Sequence, residues 1–116
     1  MDIIAIQSLL TTFAKERDWE QFHSPKNLSM ALAAEVGELL EVFMWSTEET
    51  TQQTSQNPQM QTRVREELAD IFIYLLRIAD ICQIDLETAV KQKIEQNALK
   101  YPVHLAKGNS RKYDDL

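Results

Sequence analysis

Glu35 and Glu38 stand three residues apart in the string AAEVGELLEVF, and Glu67 and Asp70 repeat that spacing in REELADIFIYLL. On a helix, residues at i and i+3 project from one face about one turn apart, so each pair offers two neighbouring carboxylates. Glu41 continues the first row and Glu66 sits beside the second. Single ExxE or ExxD pairs are ordinary on solvated helix faces. Two pairs embedded in apolar sequence say more, because a carboxylate in such surroundings is costly without a partner. If the two helices pack antiparallel, four carboxylates meet across one seam, where repulsion raises their pKa values unless a cation joins them. Magnesium suits that position, with manganese as the alternative, since hard ions take oxygen ligands and keep open positions for water and phosphate. The chemistry implied is metal-assisted hydrolysis at phosphorus. A di-iron carboxylate bundle needs Glu-x-x-His motifs, and neither His23 nor His104 is expected to supply one.

Four helices are expected to position these acids. Ile3, Ile6, Leu9, Leu10 and Phe13 recur at helical intervals, which predicts a first helix over Ile3 to Asp18. Ser24-Pro25 is a helix start, with Ser as N-cap and Pro at the first helical position. The second helix then runs to about Trp45, its stripe formed by Leu28, Leu32, Val36, Leu39, Leu40 and Phe43. Gly37 is expected to ease close helix packing. Ser46 to Gln59 is rich in Thr and Gln and is read as a mobile connection. A third helix follows over Met60 to Cys82, apolar on all sides between Ile71 and Leu76. Asp85 caps a fourth helix from Leu86 to about Lys100, which Pro102 ends. The expectation is an all-α fold, one domain over residues 1–116, whose surplus apolar surface argues for self-association.

Composition narrows the partners. The 116 residues carry a formal charge of -6, and a nucleic-acid binder needs clustered Lys and Arg to displace counterions. A polymeric nucleic acid is therefore not expected, and any phosphate compound needs its charge offset locally. The two glycines form no GxGxxG or P-loop string. Cys82, the single cysteine, lies among Ile78, Ala79 and Ile81 and is expected to act as a small hydrophobe. With no leader-like or membrane-spanning apolar run, no membrane partner is expected and the cytoplasm is the expected location.

The acidic strings also resemble a known family, the all-alpha nucleoside triphosphate pyrophosphohydrolases that include the MazG proteins, whose signature is ExxE followed by ExxD. The strings ERDWEQFHSPKNL, AEVGEL, EELADIFIYLL and YPVHLAKG, with KYDDL at the end, are similar to the dCTP pyrophosphatase branch and span nearly the whole chain. The resemblance implies a four-helix MazG-like bundle, a homotetramer built as a dimer of dimers, and magnesium-dependent release of monophosphate and pyrophosphate from a deoxynucleoside triphosphate. It assigns Glu35, Glu38, Glu67 and Asp70 as metal ligands. It places Trp19 and Trp45 around the base, and Lys93, Asn97 and Tyr101 at the phosphates and sugar.

Each assignment has a bland counterpart. Trp45 also reads as a core residue ending an apolar stripe, and Lys93, Lys26 and Lys100 as solvated lysines. Trp19 lies outside any periodic pattern, which makes a structural role less obvious. Leu10 stands where the resemblance leads one to expect a histidine near the base, leaving the base preference open. The readings carried forward are dCTP or modified dCTP as substrate, dUTP or a broad set of triphosphates, and a non-enzymatic helical interaction module.

Overall fold

A computed structural model describes residues 1–116, and every long element is helical. The chain forms two compact units, Met1–Gln83 and Ile84–Leu116. The first holds α1 (Ile3–Glu16), α2 (Pro25–Met44), α3 (Glu48–Gln52) and α4 (Pro58–Ile81), with short 3-10 turns at Glu20–Phe22 and Thr54–Gln56. The second holds α5 (Leu86–Lys100), α6 (Val103–Ala106) and a 3-10 turn at Tyr113–Asp115. The four expected helices are present, and two short ones are added.

Capping side chains set most of the helix starts. Asp2, Ser24, Thr47, Asn57 and Asp85 each accept a hydrogen bond from the backbone N–H three residues on, satisfying a donor that has no partner within the helix. Pro25 and Pro58 follow their caps, where the missing N–H costs nothing.

The connection read as mobile has local structure of its own. Thr47 Oγ1 caps α3, Thr54 Oγ1 donates to the Thr51 carbonyl at 2.6 Å and lies 3.4 Å from Met60 Sδ, and Met60 is buried. Threonine hydroxyls and one buried thioether organise a segment whose composition alone reads as unstructured.

The first helix stops two residues earlier than its periodicity suggests. Asp18 takes a positive φ of 55°, its N–H donates to the Lys15 carbonyl at 3.1 Å, and the Trp19 N–H donates to the Ala14 carbonyl at 2.9 Å. These two bonds make a Schellman closure with aspartate in the left-handed position usually filled by glycine. Cys82 also departs from expectation: it is exposed, because α4 ends at Ile81 and Gln83 reverses the chain at φ 56°. Gly37 is not needed for packing, since an added Cβ would meet nothing within 4 Å.

Within the first unit, α4 packs most extensively on α2 and also meets α1. Ala14, Leu28, Val42, Met60, Leu76 and Ala79 form the buried apolar core. No helix is long and apolar enough to cross a membrane.

Candidate metal and nucleotide site

The α2·α4 packing turns two sequence pairs into one cluster. Carboxylate oxygens of Glu35, Glu38 and Glu67 all lie within 4.8 Å of one another. Glu35 and Glu67 are half-buried, and one oxygen of each, Oε2, is buried without a hydrogen-bond partner. Glu38 is exposed. Asp70, one turn beyond Glu67, lies outside that close group, yet its charge acts on both Glu35 and Glu67.

The electrostatics follow from the geometry. Burial, reinforced by the Glu38 carboxyl and then by the Asp70 charge, lifts Glu35 to about 7. Burial is also the main cause raising Glu67, again with Glu38 second. Ionised carboxylates only accept hydrogen bonds, so three that converge can satisfy one another only by holding protons or by sharing a cation. Orphaned buried oxygens and an oxygen-only donor set fit a hard divalent ion.

The other predicted residues are distributed as follows. Trp19 follows the Schellman turn and is 44% exposed, with Phe13 edge-on at 5.8 Å and the His23 ring tilted at 6.3 Å. Trp45 is the C-cap of α2 and 86% exposed, which removes the core reading of this residue. Leu10 is half-buried on α1. In the second unit, Lys93 and Asn97 are exposed on α5, and the Asn97 carbonyl accepts from the Tyr101 N–H at 2.8 Å. The Tyr101 ring meets Tyr113 edge-on at 6.2 Å, and Lys100 Nζ lies 4.9 Å from the Tyr113 centroid.

Two features escape a reading of the sequence. Arg77, inside the apolar run of α4, is 5% exposed and bonds to residues of α1 and the following turn. The signal was a lone arginine between Leu76 and Ile78. Glu20 and His23 do form a Glu-x-x-His string, contrary to expectation, but it runs from a 3-10 turn to the residue that ends it, outside the clustered acids, and His23 Nδ1 accepts from Arg77. Two open clefts, one of about 490 Å³ lined by Gln7, Thr11 and Asp80 and one of about 510 Å³ lined by Leu40, Phe43 and Glu48, hold none of the four acids. The carboxylate cluster is recognised by its chemistry: three converging acids with two buried, unpartnered oxygens.

Comparison with known proteins gives a consistent picture. The chain is 48% identical over 111 residues to dCTP pyrophosphatase 1 of Bos taurus and 47% identical to that of Homo sapiens. These alignments take in 96% of this chain but 66% and 65% of those relatives, so the chain spans just under two thirds of their length. The crystal structure of a pyrophosphatase from Archaeoglobus fulgidus superposes with a TM-score of 0.78 at 38% identity, covering 88% of this chain and 94% of that one. The profile of the MazG-like family matches residues 30–116, a span that holds all four acids, and the chain belongs to the MazG-like family.

Proposed function

We propose that this chain is a magnesium-dependent nucleoside triphosphate pyrophosphohydrolase of the cytoplasm, converting dCTP or a modified dCTP and water to the monophosphate and pyrophosphate. The observation that carries the reading is the meeting of Glu35, Glu38 and Glu67 across α2 and α4, with two buried oxygens left unpartnered. The names of the relatives from Bos taurus and Homo sapiens supply the substrate class.

Glu35, Glu38 and Glu67 would hold the ion, with Asp70 completing the set from the next turn of α4. Magnesium, or manganese in its place, supplies positive charge that offsets the phosphate oxygens and favours ionisation of water. Glu38 or Glu35 orients the attacking water or accepts its proton, and the broken phosphoanhydride bond leaves pyrophosphate. Trp19 and Trp45 offer flat faces to the base. Such stacking is worth on the order of 1 to 3 kcal/mol per base in nucleic-acid complexes. Lys93, Asn97 and Tyr101 contact the phosphates and sugar in this reading. The exposed Ile4 and Leu9 of α1 and Leu40 of α2 support assembly of copies, proposed as a homotetramer made of two dimers.

Leu10 favours a second reading, in which dUTP or many triphosphates are accepted. Leucine offers the base no hydrogen bond, and a site that relies on stacking discriminates weakly. The test is turnover of dCTP, 5-methyl-dCTP, dUTP, dTTP, dATP and dGTP, each with magnesium and with EDTA, with products resolved by anion exchange. Magnesium-dependent monophosphate and pyrophosphate, strongest with the cytosine nucleotides, is expected. Even turnover of all bases would transfer the conclusion to the second reading, and no turnover of any would leave a helical interaction module. Glu38→Gln is expected to lower kcat by about 10²-fold or more, as removal of a proton-transfer group does.

A further inference from the structure

Trp19 is braced by side chains that the proposed chemistry does not use. The Schellman closure fixes its backbone, and Phe13 meets the indole edge-on at an interplanar angle of 67°. The Arg17 guanidinium lies 3.6 Å from the Phe13 centroid and covers that ring in turn. The His23 ring stands against the same indole at an angle of 58°.

His23 is itself held by a buried cation. Arg77 Nη2 lies 3.3 Å from His23 Nδ1, and Nη1 donates to Thr11 Oγ1 at 3.2 Å. The Thr11 hydroxyl donates to Asp80 Oδ2 at 3.2 Å, and Asp80 faces Arg77 Nη1 at 3.9 Å. The Arg77 Nε is buried without a partner. Burial first, and the Arg77 charge second, lower the His23 pKa against a smaller opposing effect of Glu20, so the ring stays neutral and Nδ1 accepts.

As a stability device this is a poor arrangement. A buried guanidinium with hydrogen bonds to Thr11 and His23, one ion pair at 3.9 Å and an orphaned N–H recovers only part of the hydration it loses. An apolar side chain between Leu76 and Ile78 would pack there more cheaply. What the guanidinium does achieve is geometric: it ties α4 to α1 and fixes the imidazole that walls Trp19.

We propose that Arg77 is a positioning residue for nucleotide binding, locking the His23 imidazole so that His23 and Phe13 together set the plane of the Trp19 indole. The proposal rests on the reading above that Trp19 stacks on the base. It makes base affinity depend on a residue that touches no substrate.

The experiment compares wild type, Arg77→Met, His23→Leu and the double variant by dCTP kinetics with magnesium, and by Trp19 emission in a Trp45→Phe background where Trp19 is the sole indole. Each single variant is expected to raise KM about tenfold, the loss of roughly half a stacking contribution, with kcat within about twofold. Trp19 emission is expected to shift in both, and the double variant to be no worse than either single one, since both cut the same chain of contacts. An unchanged KM and emission in His23→Leu would overturn the proposal, and that variant decides even if Arg77→Met fails to fold. Effects that multiply in the double variant would overturn it as well. A wild-type control that turns over no triphosphate removes the underlying reading and this proposal together, whereas an active wild type with unaffected variants removes this proposal alone.

Discussion

Glu35 ties the site's chemistry to the stability of the fold. Its carboxyl is raised from about 4.5 to about 7 in the metal-free chain, so between those pH values the folded state holds a proton that the unfolded state has lost. Stability linked to this group is complete below about pH 4.5 and is lost as pH rises through about 7, because unfolding then releases the strain of a forced ionisation. His23 acts in the opposite sense, since its lowered pKa makes the unfolded state the stronger proton binder. A difference measurement separates the two. In EDTA, the melting temperature of Glu35→Gln minus that of wild type is expected to climb from pH 5 to pH 8 in thermal melts followed by circular dichroism. A difference independent of pH would mean that Glu35 ionises freely. At this scale the convergence of Glu35, Glu38 and Glu67 was readable in the sequence because their spacing sits in apolar strings, while Asp70 lies outside that close group. Arg77 was not, because only the third dimension shows that an arginine in such a run turns inward to Thr11 and His23.

Helices position the acids, and their boundaries follow from local chemistry. Ser24-Pro25 and Asp85 announce α2 and α5 in the sequence, and the structure places a capping hydrogen bond at each. The end of α1 was less readable, because aspartate at position 18 fills a left-handed site for which glycine is the usual signal. The segment before α4 was misjudged for a related reason, since threonine hydroxyls bond locally in patterns that composition does not reveal. Two substitutions, one at the N-cap of α4 and one within it, separate capping from packing. Asn57→Ala removes the cap that accepts the Met60 N–H at 3.2 Å and is expected to cost about 1 kcal/mol. Leu76→Ala, at a side chain with 0% exposure, is expected to cost about 2 to 5 kcal/mol, because it leaves a cavity in the buried core. Urea denaturation of both variants measures the two effects. Equal costs would mean that α4 depends on its own cap as much as on its neighbours.

Over the whole molecule, a formal charge of -6 and a seam of converging carboxylates both oppose compaction. A divalent ion that binds only the folded chain relieves the second of these and shifts the folding equilibrium by mass action, by about 2.7 kcal/mol at a concentration 100 times its dissociation constant. Magnesium is therefore expected to raise the melting temperature relative to EDTA. Simple screening of the net charge would also stabilise the fold, so sodium chloride at matched ionic strength is the necessary control. Sodium is expected to give a small shift shared by wild type and a Glu35→Gln/Glu67→Gln variant. The additional magnesium shift is expected in wild type alone, because only there do the two buried unpartnered oxygens remain to be shared with a cation. A magnesium shift no larger than the sodium shift would make the acidic seam an ordinary polar surface, and the helices of this chain would then be read as a scaffold for assembly instead of an enzyme.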